Sequence, residues 1–211
     1  MDNYFKTRYS FTSSRQKVWK IIANYLQKYI PRDAIICDLG PGYCDFINNI
    51  TAKEKHALDI SDEIKKYANP DIVTHISSIY KLSDLKSKYF DIVFSSNTLE
   101  HLTGEQVELT LEEIKRILKP KGNIILMMPN FKFCYKVFYD DYTHKTPFTH
   151  IGLCDLLETK NLKPVKVMSK FLPFSFKNAP ACYPLSFLVR LYLYSPVKPF
   201  AGQMLVVAKK E

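Results

Sequence analysis

Residues 35–45 read Ile35-Ile36-Cys37-Asp38-Leu39-Gly40-Pro41-Gly42-Tyr43-Cys44-Asp45. An apolar run ends in an acid, passes through a turn with two glycines, and enters a segment compatible with a helix. The apolar residues suit a strand buried on both faces, as in a parallel sheet. Gly40 and Gly42 carry no Cβ, so the backbone there can turn tightly and come close to a ligand. Such a loop lies outside the carboxyl end of a strand, where open α/β sheets bind ligands. The spacing is not a dinucleotide fingerprint, which needs a third glycine three residues after the second; Asp45 stands there. A tight strand-to-helix turn with no ligand would read the same way.

The flanking chain extends the pattern. Residues 55–59, Lys-His-Ala-Leu-Asp, form a short apolar strand ending in a second acid. Asp59 follows the loop at about the 20-residue separation at which doubly wound folds place a carboxylate on ribose hydroxyls. A charged acceptor holds a vicinal diol more strongly than a neutral one. Ser61 just beyond suits a helix N-cap, so Asp59 can also be read as a strand end leading into that cap. Strands are expected at 34–39, 55–60, 71–76, 90–95, 123–128, 163–169 and 202–209. Helices are expected at 44–52, 61–68, 81–87, 105–118 and 149–160. Upstream, Val18, Ile21, Ile22, Tyr25 and Leu26 recur at helical spacing. They predict a helix over 13–29, with Ser13 and Gln16 as a capping box and Pro31 as its stop. Strands alternating with helices argue for a parallel sheet with right-handed crossovers.

The chain has 211 residues, enough for one sizeable core and short for two. One domain over 1–211 is therefore expected, with an acceptor loop at 131–149 and a C-terminal insert at 170–200. No apolar run reaches the length of a membrane span, and Met1–Ser10 does not read as a signal peptide. Five cysteines, Cys37, Cys44, Cys134, Cys154 and Cys182, are odd in number with no closely spaced pair. They point to a reduced, cytoplasmic protein rather than a disulfide framework or zinc knuckle.

A second block begins at the fourth strand: Phe90-Asp91-Ile92-Val93-Phe94-Ser95-Ser96-Asn97-Thr98-Leu99-Glu100-His101-Leu102. Further on come Glu113-Ile114-Lys115-Arg116-Ile117-Leu118-Lys119-Pro120-Lys121-Gly122 and a strand ending Met127-Met128-Pro129-Asn130. In this order, after Asp-Leu-Gly-Pro-Gly, the motifs over 35–130 resemble the class I S-adenosylmethionine (SAM) methyltransferase family. Three positions depart from its pattern: Cys44 replaces a third glycine, Lys121 replaces a glycine in the turn before the fifth strand, and Ser78 stands where the family usually has an acid. Gly122 is expected to adopt positive φ in that turn.

The resemblance implies an α/β fold: a Rossmann-like seven-stranded sheet, mostly parallel with the last strand antiparallel, and helices on both faces. It implies SAM as cofactor and S-adenosylhomocysteine as product. Asp38, Gly40, Pro41, Gly42 and Tyr43 would border the methionine end. Asp59 would hold the ribose, Ile60 would pack on the adenine, and Ser78 and Ile79 would meet the adenine edge. Ser95, Ser96 and Asn97 would end the fourth strand beside the transferred methyl.

The acceptor side is expected from Glu100 and His101, at the start of the helix after the fourth strand, and from the polar, aromatic stretch Tyr139–Thr149. Methyl transfer to a hydroxyl needs a base for the departing proton, and histidine is the best poised at neutral pH. His101 and His144 are the candidates, with Glu100, Asp141 and Tyr142 beside them. Residues 97–101 with His144 also resemble the metal-binding pattern of small-RNA 2′-O-methyltransferases, Glu-x-x-Glu-His with a distant His. Glu100, His101 and His144 match three of its four positions, and Asn97 takes the place of the first Glu. These three could hold Mg²⁺, Mn²⁺ or Zn²⁺. With one ligand missing, a metal-free hydrogen-bond network is the expectation.

Phe171-Leu172-Pro173-Phe174, Leu188-Val189-Arg190-Leu191-Tyr192-Leu193 and Gly202-Gln203-Met204 resemble a bacterial methyltransferase subgroup associated with polysaccharide or lipopolysaccharide biosynthesis. That resemblance implies O-methylation of a small sugar- or phosphate-containing precursor of a cell-surface polymer. The net charge of +9 is concentrated late in the chain, since residues 160–211 carry nine Lys or Arg against one acid. This suits an anionic acceptor, and the apolar stretch 183–200 suits a peripheral membrane contact. No nucleic-acid-binding module is visible, so a nucleic-acid partner is not expected. Two other readings stay open: a metal-assisted RNA 2′-O-methyltransferase and a non-catalytic SAM-binding partner protein.

Overall fold

The computed structural model describes residues 12–173 and 185–211. In chain order its elements are α1 (Ser13–Leu26), β1 (Ile35–Leu39), β2 (Glu54–Asp59), α2 (Ile64–Tyr67), β3 (Ile72–Ile76), β4 (Phe90–Ser96), α3 (Gly104–Ile117), β5 (Leu118–Pro129), α4 (Phe131–Cys134), α5 (His150–Thr159), β6 (Leu162–Pro173), α6 (Leu185–Tyr194) and β7 (Ala201–Lys210). The strands make one seven-stranded sheet in the order β3-β2-β1-β4-β5-β7-β6. β1 pairs in parallel with β2 and β4, and only β7 runs against its neighbours. The expected sheet is the observed one.

Side-chain alternation divides the core in two. Ile36, Ala57, Ile92, Phe94, Ile125 and Met127 face α1, α2 and α6. Cys37, Leu39, Leu58, Val93, Ile124 and Leu126 face α3 and α5. The central strands are apolar on both faces because each face is roofed by helices.

Helix ends follow local chemistry. Thr103 caps α3: its hydroxyl accepts from Gln106 N (3.3 Å), and the Gln106 side chain accepts from Thr103 N (3.0 Å). Val107, Leu111, Ile114 and Ile117 then bury one stripe of the helix. α3 ends at Ile117, two residues before Lys119, whose position before Pro120 favours extended backbone. α1 is capped by Thr12, whose hydroxyl accepts from Arg15 N, and not by the expected Ser13–Gln16 box.

Three expected helices shrink or vanish. Residues 44–52 hold only a 3-10 turn at Ile47–Asn49. There Asn48 Nδ2 donates to Tyr67 O and Asn49 Nδ2 to Asp45 O, so side chains claim the backbone acceptors. Residues 61–68 hold the single turn α2. Residues 81–87 form turns. The carbonyls of Leu82 and Leu85 accept from the guanidinium of Arg116 on α3, at 2.6 and 2.9 Å, and Leu82 O also accepts from Leu85 N (2.9 Å) in a tight turn rather than from the amide four residues on. The expected turn before the fifth strand is an irregularity within β5, where pairing with β4 shifts register between Leu118 and Asn123, and there Lys121 (φ 63°) takes the left-handed conformation expected of Gly122. Gly122 has a different constraint: a Cβ there would stand 3.0 Å from Lys119 O and 3.1 Å from Asp91 O.

In the expected C-terminal insert, Val189 and Leu193 of α6 are buried, and the Tyr194 ring meets Tyr25 of α1 edge-on at 5.4 Å. Phe187, Leu188, Leu191, Tyr194 and Phe200 are exposed. Cys182 and Phe174 lie outside the described residues, as do residues 1–10 and part of the 183–200 stretch. Among the described residues no helix is long and apolar enough to cross a membrane.

Candidate active site

A cavity of about 350 Å³ lies at the carboxyl ends of β1, β2 and β4. Its floor is the loop after β1. Gly40 N donates to Leu58 O of the neighbouring strand (2.9 Å), which fixes the turn at the sheet. Gly40 (φ 72°), Gly42 (φ 56°) and Cys44 (φ 57°) all take left-handed backbone. Cys44 thus holds, without being glycine, a conformation that glycine adopts most easily. A Cβ on Gly40 would stand 2.6 Å from the Thr98 side chain, so this close approach demands glycine.

Eleven of the twelve residues expected on the cofactor line this cavity: Asp38, Gly40, Pro41, Gly42, Tyr43, Asp59, Ile60, Ser78, Ile79, Ser96 and Asn97. Ser95 is the exception. It points away, is buried, and donates to Leu39 O (2.9 Å), tying β4 to β1. Asn97 takes positive φ (51°), a conformation asparagine tolerates better than most residues.

The two acids dominate the electrostatics. Asp38 and Asp59 are buried. Burial holds both carboxyls above the ordinary carboxylate range, and Asp59 pushes Asp38 further. Asp59 accepts from Ser61 N (3.0 Å), but Asp38 Oδ2 has no hydrogen-bond partner. A site with two acids and an orphaned carboxylate oxygen calls for a ligand that brings donors or positive charge. Burial also lifts the Cys44 thiol to about 12, so it is an inert packing group.

The sequence reading missed one wall. Arg15 and Trp19 of α1 line the cavity beside Tyr43, Asp45 and Phe46. Arg15 Nε donates to Asp45 Oδ2 (2.7 Å), and its guanidinium lies 5.8 Å from the Trp19 ring centre and 5.7 Å from that of Tyr43. Thr98, Leu102, Gln106 and Lys145 complete the other end.

Of the five residues expected on the acceptor, only His101 lines the cavity. Glu100 and His101 sit in a 3-10 turn (Leu99–His101), not at the start of a helix, because α3 begins only at Gly104, after its Thr103 cap. The 143–146 segment is pinned to this turn: Lys145 N and Thr146 N both donate to Glu100 O, at 2.8 and 3.1 Å, and Thr146 Oγ1 donates to Leu102 O. His144 therefore comes beside His101, with ring centres 4.8 Å apart. Asp141 acts through Thr143, whose hydroxyl donates to Asp141 Oδ1 (2.6 Å) and meets His101 Nδ1 at 2.9 Å. Tyr142 is 78% exposed and lies off the cavity. Burial, then His144, lowers His101 to about 4. Burial raises the Glu100 carboxyl to about 8. One ligand atom each from Glu100, His101 and His144 lies within 4.8 Å of the others, so the three residues matched to a metal pattern do converge.

Comparison with known proteins gives this arrangement a context. Residues 37–126 match the family described as a methyltransferase domain. The chain is 26% identical over 145 residues to phosphoethanolamine N-methyltransferase of Plasmodium falciparum, covering 62% of this chain and 54% of that protein. It spans about half the length of the curated relatives it matches. A SAM-dependent methyltransferase structure from Archaeoglobus fulgidus superposes with a TM-score of 0.65 at 22% identity, covering 91% of this chain and 94% of that one. The 1,6-didemethyltoxoflavin-N1-methyltransferase of Burkholderia thailandensis, solved with S-adenosylhomocysteine, superposes with a TM-score of 0.64 at 16% identity, covering 99% of this chain and 84% of that one. The fold is that of class I methyltransferases, and S-adenosylmethionine is the cofactor whose groups fit the cavity. Its cationic methionine end suits Asp38, its ribose diol suits Asp59, and its adenine suits Ile60 and Ile79.

Proposed function

We propose that this protein transfers the methyl group of SAM to a hydroxyl of a small anionic acceptor, such as a sugar- or phosphate-containing precursor of a surface polymer. One observation carries the reading: the cofactor-type wall (Asp38, Gly40, Asp59, Asn97) and a polar wall bearing His101 and Lys145 line a single cavity. SAM, when bound, supplies an electrophilic methyl on a sulfonium centre. The residues hold and orient the reacting groups, and orientation supplies much of the acceleration in such transfers.

Asp59 would accept the ribose hydroxyls. Arg15, already paired with Asp45 at the cavity wall, would meet the methionine carboxylate. Lys145 would attract the acceptor's anionic group. His101 touches the acceptor end and is unprotonated at neutral pH, so it would receive the hydroxyl proton. A second reading has an amine nitrogen as acceptor; the similarity to a phosphoethanolamine N-methyltransferase favours it.

The test is transfer of labelled methyl from SAM into a cell extract separated into nucleotide sugars, glycolipids, amines and RNA. Label in sugar or lipid-linked fractions supports the proposal. Label confined to amines selects the second reading, and label in RNA overturns both. Transfer nowhere, with SAM bound, favours a non-catalytic partner.

A further inference from the structure

We infer that Glu100, His101 and His144 form a binding site for one divalent transition-metal ion at the edge of the cavity. Hydrogen-bond polarity fixes which ring nitrogens of the two histidines carry protons. His144 Nδ1 lies 2.6 Å from Phe138 O, and a carbonyl only accepts, so Nδ1 carries the proton and Nε2 the lone pair. The Thr143 hydroxyl gives its proton to Asp141 Oδ1, so its oxygen accepts from His101 Nδ1. His101 therefore also presents a lone pair on Nε2. Metal-binding histidines are oriented in this way, with the second ring nitrogen donating to a carbonyl or an acid-linked partner.

Glu100 supplies an independent observation. It is 1% exposed, and neither carboxylate oxygen has a hydrogen-bond partner. A buried carboxylate with nothing donating to it is costly unless a cation completes it. With its carboxyl ionised, as a bound cation would make it, Glu100 joins the two imidazoles in offering acceptor atoms from three residues.

The spacing is close to what an ion requires. Bonds of about 2.1 Å in tetrahedral geometry put donor atoms roughly 3.4 Å apart. Ligand atoms already within 4.8 Å need side-chain movements on the order of one ångström. Two imidazoles and one carboxylate suit Zn²⁺, Co²⁺ or Fe²⁺ better than Mg²⁺, which favours all-oxygen sites. The backbone holds the ligands together from 43 residues apart, through the Lys145 and Thr146 amides on Glu100 O. His101 also lines the cavity, so an ion on its Nε2 would take the lone pair that receives the hydroxyl proton in the metal-free site, and would act on that hydroxyl by polarising it instead. That role rests on the methyltransferase reading; the binding site does not.

The test uses the full chain, untagged and stripped with chelator, titrated with Co²⁺ and followed by its visible ligand-field bands. SAM binding is measured by calorimetry on the same samples. The expected result is saturation at one Co²⁺ per chain, displaced by Zn²⁺. Glu100→Gln and His144→Ala should each weaken binding about 10- to 100-fold. Glu100→Gln keeps the shape of the side chain, and thermal melting of both variants checks that they fold. His75→Ala is the control, because His56 and His75 form the other close pair of imidazoles among the described residues (2.8 Å). No stoichiometric binding, unchanged affinity in Glu100→Gln, or binding lost in His75→Ala instead would overturn the site. Failure of Co²⁺ with SAM still bound leaves the methyltransferase reading standing; Co²⁺ bound without SAM does the reverse.

Discussion

Replacing Asp38 by asparagine should stabilise the fold while weakening the cofactor site. Asp38, next to last in β1, lies in the floor of the cavity, 1% exposed, with Oδ2 unpartnered and Asp59 nearby raising the cost of its charge. Its pKa in the fold lies above the unfolded value of about 3.9. The native state therefore binds more protons than the unfolded chain between those two values. Its contribution to stability is greatest at acid pH and is lost as pH rises through the folded-state value. Asparagine has the same shape and no charge.

A buried polar group left unsatisfied costs about 1–3 kcal/mol, and more when charged. Because the amide also lacks a full set of partners, the gain at pH 8 should be about 1–2 kcal/mol. At roughly 2–4 °C per kcal/mol for a domain of this size, the melting temperature should rise by about 2–8 °C. The difference should shrink as pH falls towards 4. SAM affinity should fall about 10- to 100-fold, the loss of one charge-assisted contact. Paired thermal melts at pH 5 and pH 8, with and without SAM, read both effects. A variant less stable than wild type at pH 8, or a gain unchanged at pH 5, would refute the electrostatic account of Asp38.

Other substitutions probe separate parts of the argument. Gly40→Ala places a Cβ 2.6 Å from Thr98 on backbone with φ 72°. It should cost about 1–3 kcal/mol and abolish the SAM-induced rise in melting temperature; adding Thr98→Ala should recover only the steric part. Lys121→Gly relieves exposed left-handed backbone (φ 63°) and should stabilise by about 0.5–1 kcal/mol in denaturant midpoints. Arg116→Met removes the donor shared by the Leu82 and Leu85 carbonyls and should destabilise by about 2 kcal/mol. Amide exchange within 80–88 should then accelerate, where exchange unchanged from wild type would contradict the clamp.

The parts of the molecule that could be read in the sequence are those decided by near neighbours in the chain. Strands buried on both faces announce themselves as apolar runs, and the acids Asp38 and Asp59 mark strand ends because a charge ends such a run. The cavity wall was legible for the same reason: ten of the eleven expected residues that line it lie on a strand end or within three residues of one. Helices failed where a side chain took up backbone acceptors, as Arg116 does at Leu82 and Leu85 and Asn49 does at Asp45. Arg15 and Trp19 were missed because the periodicity of α1 reports the stripe facing the core, through Val18, Ile22 and Leu26. Whether another side of a helix meets a cavity depends on where the helix lies.

The acceptor side shows the boundary most clearly. Glu100, His101 and His144 could be picked out by residue type and by resemblance, yet their meaning depends on whether they meet. That meeting is made by two amides, Lys145 N and Thr146 N, on one carbonyl, Glu100 O. Every non-proline residue has such an amide, so no side-chain pattern encodes the pairing. Tyr142, adjacent to the same loop and equally plausible by residue type, turns out to solvent, while Asp141 is joined to His101 through the Thr143 hydroxyl. Residue type therefore nominates the chemistry of the acceptor side, and backbone pairing between distant segments decides which nominees take part.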